Sequence, residues 1–209
     1  MGLYSETICP WLLDKALGHP NIMRRRQALV GQAAGDVLEI GFGSGATLPF
    51  YDPAKVRSLT VVEPSDGMNR RAAAQLASSP VPITSVPGAG ESLPFADAGF
   101  DTVVCCLTLC SVRDVGQVLA EVRRVLKPGG VFLFMEHVLS DDPDRQRWQQ
   151  RLNPVQRVVG VGCNLNRPTA MLVAAAGFRL EPMPVQEEER AFGALKTLTP
   201  LVMGCAIRA

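Results

Sequence analysis

Three glycines and one acid have the residue types and the spacing to bind a nucleoside-bearing cofactor. Gly41, Gly43 and Gly45 directly follow the short apolar segment 37–40. Glycines at the end of a strand let backbone N–H groups approach a ligand without a Cβ in the way. Glu63 ends the next apolar segment, where a carboxylate can accept both hydroxyls of a ribose. These positions predict a ribose-containing cofactor at the carboxyl edge of a parallel sheet.

The glycine spacing by itself admits two kinds of cofactor. Gly41, Gly43 and Ala46 also fit the dinucleotide pattern G-x-G-x-x-G/A, with Glu63 near the expected distance. Glu39 counts against a dinucleotide, because a carboxylate just before the loop would face the pyrophosphate and like charges repel. No Tyr-x-x-x-Lys pair that would serve hydride transfer is found either. A cofactor with an amino group or a sulfonium fits the same carboxylate better.

The order of apolar segments indicates a single doubly wound α/β domain. Strands and amphipathic helices alternate over residues 36–138, which predicts a Rossmann-like, mostly parallel sheet of seven strands. Segments 178–185 and 201–209 are joined by only about fifteen residues, which favours a C-terminal antiparallel hairpin. We expect residues 1–35 to form a helical cap, 36–138 the cofactor-binding core, and 139–209 the substrate-side helices with the terminal strand pair.

Proline and glycine residues are expected to shorten one helix of this core and to end another. A helix is predicted to begin after Gly45 and to be shortened by Pro49. The run Lys127-Pro128-Gly129-Gly130 predicts the end of a helix and a turn before a fifth strand at 131–135.

Composition excludes several functional classes. The net charge of +1 gives no strong attraction to nucleic acid or to anionic lipid. No apolar run reaches the roughly 18 residues of a membrane span, and the N-terminus shows no signal-peptide pattern. None of the six cysteines forms a C-x-x-C pair, and the neighbours Cys105 and Cys106 point to opposite faces of a strand. We therefore expect reduced, buried thiols, no metal and a cytoplasmic protein.

Four motifs in order resemble those of the class I S-adenosylmethionine-dependent methyltransferases. They are Glu39-x-Gly41-x-Gly43-x-Gly45, the acid Glu63, the segments 90–95 and 100–104, and the turn 126–130. The resemblance implies S-adenosylmethionine as cofactor and S-adenosylhomocysteine as product. The cofactor-binding residues that it implies are Glu39, Gly41, Gly43, Gly45, Glu63, Gly90, Glu91 and Leu107.

The adenine side departs from the pattern of that family. Many members carry Asp-Ala where this chain has Ala89 and Gly90, and their Asp holds the adenine amine. The resemblance then implies that backbone groups and Glu91 hold the adenine here.

A narrower resemblance extends into the last third of the chain. Segments 104–112, 134–138, 148–149 and 162–167 are similar to the animal methyltransferase-like thiol methyltransferases. That family implies a small thiol or hydrosulfide as methyl acceptor. Its members usually carry an N-terminal hydrophobic anchor, so the absence of a long apolar run leads us to expect a soluble, anchor-less relative.

Methyl transfer from a sulfonium is an in-line displacement, with the nucleophile about 3 Å from the methyl carbon. His137, placed just past the fifth strand, is the candidate base for the thiol proton, and Glu136 alternates with it. Candidate substrate contacts follow the same segments and are Cys110, Trp148, Asn164 and Arg167, with Trp11 as a second possible apolar wall.

Two other functional classes stay open at this point. One is a C- or N-methyltransferase acting on a quinone precursor or a lipid head group. The other is a non-enzymatic cofactor-binding protein with the same fold.

Overall fold

The computed structural model describes residues 18–182 and 200–209, which form seven strands and five α-helices. The strands are β1 (Gly35–Ile40), β2 (Val56–Glu63), β3 (Ile83–Pro87), β4 (Phe100–Cys106), β5 (Leu126–His137), β6 (Phe178–Glu181) and β7 (Leu201–Arg208). The helices are α1 (Pro20–Val30), α2 (Asp66–Ala77), α3 (Val115–Val125), α4 (Pro143–Val159) and α5 (Thr169–Ala175). Trp11 and the predicted elements within 1–17 and 183–199 lie outside the described residues.

All seven strands belong to one sheet in the order β3-β2-β1-β4-β5-β7-β6. The first five strands are parallel, whereas β7 is antiparallel to both β5 and β6. The predicted Rossmann-like sheet with a reversed C-terminal strand pair is therefore confirmed. In this order β1 lies between β2 and β4, so the carboxyl ends of these three strands share one edge.

The sheet is buried on both faces, which explains its continuous apolar strands. Leu38 and Phe134 belong to the core on one face, and Val37 and Leu133 to the core on the other. Successive side chains of a strand point to opposite faces, so a strand covered on both sides must be apolar throughout.

Helix α3 illustrates why the covering helices form where they do. Asp114 caps its amino end, and its carboxylate accepts a hydrogen bond from the Gln117 N–H at 3.0 Å. Val118, Leu119, Val122 and Val125 are buried, which matches the spacing of one helical face.

Three predictions for elements near the site are wrong. Residues after Gly45 form only a 3₁₀ turn, Leu48–Phe50. The fifth strand begins at Leu126, and its pairing with β4 shifts register so that residues 127–130 form an irregularity within the strand. At its other end, β5 extends to His137, which pairs with Leu201. Antiparallel pairing with β7 thus makes His137 the last residue of a strand.

Within the described ranges, no helix combines the length and the apolar character needed to cross a membrane.

Candidate functional site

The glycine loop between β1 and the 3₁₀ turn holds three glycines with left-handed backbone angles. A Cβ on Gly41 would overlap the Thr108 side chain, and one on Gly45 would overlap Gln75. Gly43, with φ of 60°, has no protein atom within 4 Å of such a Cβ. Packing therefore explains two of the glycines, whereas Gly43 leaves open space in which a ligand can approach the backbone.

Glu63 joins the end of β2 to this loop. Its Oε2 accepts a hydrogen bond from the Gly43 N–H at 2.9 Å, and its Oε1 accepts one from the Ser65 N–H at 2.9 Å. Burial raises the pKa of Glu63, and the two backbone hydrogen bonds oppose that rise. Each carboxylate oxygen keeps a further lone pair, so the residue can still accept two hydroxyls.

Glu39 lies beneath the loop rather than on its open side. The residue is only 1% exposed, and its carboxylate accepts hydrogen bonds from the Thr47 hydroxyl at 2.9 Å and the Tyr51 hydroxyl at 2.8 Å. Burial raises the pKa of Glu39 to about 7, although both hydrogen bonds favour the charged form. Glu39 therefore ties the end of β1 to both ends of the 3₁₀ turn that follows the glycine loop, and its contact with a cofactor remains a prediction.

The other predicted cofactor residues surround the same edge. A Cβ on Gly90 would come within 2.8 Å of Ile40 Cγ2, so this glycine permits close approach to the end of β1. Glu91 accepts a hydrogen bond from the Arg113 N–H at 2.9 Å. Leu107 has a φ of 61°, which is unusual for a side chain of this kind. Contact of these three residues with a cofactor remains a prediction.

Glu136 organises the loop that follows β4. This fully buried carboxylate accepts hydrogen bonds from the N–H groups of Thr108, Leu109 and Cys110 at 2.9, 2.8 and 3.0 Å. Burial raises its pKa to about 7, against the effect of these three bonds. The Thr108 hydroxyl in turn donates to the Ile40 carbonyl at 3.0 Å. The end of β5 is thereby connected to the base of the glycine loop.

A cluster of two thiols and one imidazole lies beside this loop, which we call the Cys–His cluster (Cys110, His137 and Cys163). The two sulfurs are 3.7 Å apart, and His137 Nδ1 lies 3.6 Å from the Cys163 sulfur and 3.9 Å from the Cys110 sulfur. Both cysteines are buried and His137 is partly exposed. Sequence reasoning considered Cys110 and His137 separately and missed Cys163.

The neighbours of Cys163 in this cluster lower the pKa of its thiol. The hydrogen bond between the two sulfurs lowers the pKa of Cys163 to about 4, and the neighbouring His137 acts in the same direction. The three groups therefore act together to favour a thiolate within the cluster.

Asn164 and Arg167 hold the loop that carries Cys163. The Asn164 side-chain amide donates to the Cys110 carbonyl at 3.0 Å. The Arg167 guanidinium donates to the Leu109 and Val112 carbonyls. These contacts are to protein backbone, so a contact of either residue with a substrate remains a prediction.

Trp148 lies on the exposed side of α4, and its contact with a substrate remains a prediction. It is 53% exposed, and the Arg151 guanidinium lies 5.6 Å from its ring centre. Helical geometry gives the inward position to its neighbour Gln149, which is fully buried.

Gln149 links the segments on either side of α4. Its amide oxygen accepts a hydrogen bond from the Ser140 N–H at 2.9 Å, and its amide nitrogen donates to the Val138 and Leu165 carbonyls at 2.9 and 2.7 Å. It thus fixes the chain next to His137 against the chain next to Cys163. A glutamine in an otherwise polar helix gave no sequence signal for this role.

Comparison with known proteins assigns the class of this fold and site. Residues 38–134 match the methyltransferase domain family. The structure is similar to YcgJ from Bacillus subtilis, with a TM-score of 0.65, 20% identity, and coverage of 88% of this chain and 96% of that one. It is also similar to an S-adenosylmethionine-dependent methyltransferase from Thermotoga maritima, with a TM-score of 0.65, 19% identity, and coverage of 99% and 98%.

Two human proteins are similar to this chain in sequence. The chain is 37% identical to thiol S-methyltransferase TMT1A over 146 residues, which cover 68% of this chain and 59% of that protein. It is 36% identical to thiol S-methyltransferase TMT1B over 178 residues, which cover 82% of this chain and 70% of that protein. The chain belongs to the class I S-adenosylmethionine-dependent methyltransferases. It spans about three fifths of the length of TMT1A.

S-adenosylmethionine is the methyl donor that this family implies, and the residues fit it. Gly43 offers open space at the loop, and Glu63 has free lone pairs for the ribose hydroxyls. When bound, the cofactor supplies an electrophilic methyl group on a sulfonium. The loop N–H groups and Glu63 would hold and orient it.

Proposed function

We propose that this protein transfers the methyl group of S-adenosylmethionine to a small thiol or hydrosulfide. The observation that carries the proposal is the 36–37% identity to human proteins named thiol S-methyltransferases. The site is consistent with it, because Cys110 of the Cys–His cluster lies on the loop after β4, and Thr108 of the same loop donates a hydrogen bond to the Ile40 carbonyl at the base of the glycine loop.

The reaction makes limited demands on the protein. The acceptor sulfur must lie opposite the leaving sulfur, in line with the methyl group, and must be a thiolate when it attacks. A free thiol has a pKa of about 8.5, so a modest stabilisation of the anion is enough to give a reactive thiolate at neutral pH. Positioning and exclusion of water are then the main contributions of the chain.

His137 is the predicted group that receives the thiol proton. Its Nδ1 faces the two cluster sulfurs, which leaves Nε2 as the atom for an incoming thiol. In this role His137→Gln should lower the turnover number most at pH values below the thiol pKa, since deprotonation is limiting there. A pH–rate profile unchanged by the substitution would remove His137 from the mechanism.

The test of the acceptor is a panel assay with methyl-labelled S-adenosylmethionine. Hydrosulfide, 2-mercaptoethanol and a longer alkyl thiol are compared with a quinol, a primary amine and phosphatidylethanolamine, and products are identified by mass spectrometry. We expect methylation of the thiols. Methylation restricted to the quinol or to an amine would refute the proposed acceptor.

An amine acceptor is the second candidate. The chain is 33% identical over 121 residues to phosphatidylethanolamine N-methyltransferase from Cereibacter sphaeroides, covering 56% of this chain and 58% of that protein. The phosphatidylethanolamine arm of the panel tests this candidate directly. Lack of turnover with every acceptor, despite cofactor binding, would favour a binding protein.

A further inference from the structure

We propose that Cys110, His137 and Cys163 bind one thiophilic divalent cation such as Zn²⁺, with a fourth coordination position that takes the acceptor thiolate. The metal site stands on the geometry of the cluster alone. The role of the fourth position rests on the proposed function and deepens it.

The donor atoms already have the spacing of a metal site. All three ligand atoms lie within 4.8 Å of one another. Tetrahedral Zn²⁺, with bonds of about 2.3 Å to sulfur and about 2.05 Å to nitrogen, separates two sulfurs by about 3.8 Å and a sulfur from a nitrogen by about 3.6 Å. The corresponding distances here are 3.7 Å between the sulfurs and 3.6 and 3.9 Å to His137 Nδ1. A cation at the centre therefore requires little movement of any side chain.

The donor set determines which metals fit. Two thiolates and an imidazole are soft to borderline ligands, which favour zinc over magnesium or calcium. Among residues 18–182 and 200–209 the cluster supplies three ligands, which is the number typical of catalytic zinc sites that leave the fourth position to substrate, whereas structural sites supply all four. The neutral net charge of two thiolates and Zn²⁺ also suits a buried location.

Groups around the cluster hold the ligands in place. Glu136 accepts a hydrogen bond from the backbone N–H of Cys110 at 3.0 Å. The Asn164 N–H donates to the Cys110 carbonyl at 2.8 Å, which joins the two cysteine-bearing loops. Such outer contacts orient ligands and are a regular part of metal sites.

The chemistry of the fourth position follows from the charge of the metal. A thiol that binds there loses its proton to solvent, and the metal–sulfur bond stabilises the resulting thiolate at neutral pH. The bound sulfur then attacks the methyl carbon, the sulfonium bond of S-adenosylmethionine breaks, and S-adenosylhomocysteine and a methyl thioether are formed. The metal and a His137 base are alternative means of deprotonating the acceptor. With a metal on Nδ1 the imidazole is a ligand and the thiol proton passes to solvent, whereas a metal-free site relies on His137 as the base.

Cobalt binding tests the site without relying on activity. Metal-free protein, reduced with a phosphine and kept anaerobic, is titrated with Co²⁺, and thiolate-to-cobalt absorption and metal content are measured. We expect one cobalt per chain in the wild type and in the control Cys205→Ser, whose thiol lies on β7 outside the cluster. Cys110→Ser and Cys163→Ser should each weaken binding at least tenfold while calorimetry still detects S-adenosylmethionine binding, which verifies folding. Reduced wild type that takes no cobalt, or Cys163→Ser that binds it normally, would overturn the proposal.

The fourth position is tested by adding hydrosulfide or 2-mercaptoethanol to the cobalt protein. A changed cobalt spectrum and zinc-dependent thiol methylation are expected. An unchanged spectrum, or equal thiol methylation by metal-free protein, would refute this role while leaving the proposed function intact. Conversely, a cobalt site in a protein that methylates only amines would refute the thiol acceptor and leave the metal site standing.

Discussion

Comparing Gly43→Ala with Gly129→Ala distinguishes a glycine that cofactor binding requires from a glycine that only the backbone angles require. Gly43 has a φ of 60°, and a Cβ there would meet no protein atom within 4 Å. Gly129, in the irregularity of β5, has a φ of 74° and equally open surroundings. The two substitutions therefore impose the same kind of backbone strain, but only the first adds a methyl group where the cofactor is expected.

The magnitudes follow from these geometries. An alanine in the left-handed region costs about 1–2 kcal/mol, and for a protein of this size each kcal/mol lowers the melting temperature by roughly 2–4 °C. Both variants should thus melt roughly 2–8 °C below the wild type. Forcing one methyl group into occupied space costs about 1–3 kcal/mol. Gly43→Ala should therefore raise the dissociation constant of the cofactor roughly 5- to 150-fold.

Isothermal titration calorimetry with S-adenosylmethionine and with S-adenosylhomocysteine measures the change in cofactor affinity. Thermal unfolding without ligand measures the change in stability. We expect Gly129→Ala to lose stability and keep its affinity. Unchanged affinity in Gly43→Ala, or an equal loss in Gly129→Ala, would refute the position assigned to the cofactor.

Three further predictions concern single buried side chains. Glu63→Gln should weaken S-adenosylmethionine binding roughly tenfold by loss of a charged acceptor, and should cost about 1 kcal/mol of ligand-free stability, because the amide has one accepting oxygen for the two backbone N–H groups that the carboxylate accepts; unchanged affinity in calorimetry would contradict it. Glu39 has its pKa raised from 4.5 to about 7, so the unfolded chain loses this proton first and stability should fall by up to about 3 kcal/mol as pH rises through that window. In urea unfolding at pH 4.5 and 7.5, Glu39→Gln should lose this decrease in stability, whereas the control Asp97→Asn, at an exposed carboxylate, should keep it. An equal pH dependence in the wild type and both variants would be inconsistent with the prediction. Gln149→Leu should cost about 3 kcal/mol of unfolding free energy by leaving three backbone groups without partners, and a loss below about 1 kcal/mol would contradict that role.

The fold was largely predictable because its signals are local. Continuous apolar strands, capped helices and the short connection before β7 each follow from neighbouring residues, and handedness then restricts the topology. Two of the errors, at the two ends of β5, occurred where strand pairing overrides local preference. The turn-forming run Lys127-Pro128-Gly129-Gly130 becomes part of β5 because β4 accommodates it by a register shift, and His137 enters the strand because β7 pairs with it.

The candidate site was predictable to the extent that it follows strand ends. The glycine loop and Glu63 come together because parallel strands present their carboxyl ends at one edge, so the methyl donor could be inferred from sequence. The sequence predicts that Glu39 favours a cationic cofactor, and this stays a prediction; only the structure shows that its carboxylate is buried between Thr47 and Tyr51.

The Cys–His cluster could not be predicted from the sequence, because only the tertiary structure brings its three residues together. Cys110, His137 and Cys163 lie 26 to 53 residues apart in the chain, in no spacing that a motif describes. They meet because β4 and β5 are neighbours in the sheet and because hydrogen bonds from Asn164, Arg167 and Gln149 fold the later loop back over the end of β4. The sequence by itself determines the glycine loop and Glu63 through short-range pattern, whereas long-range packing determines which side chains form the Cys–His cluster.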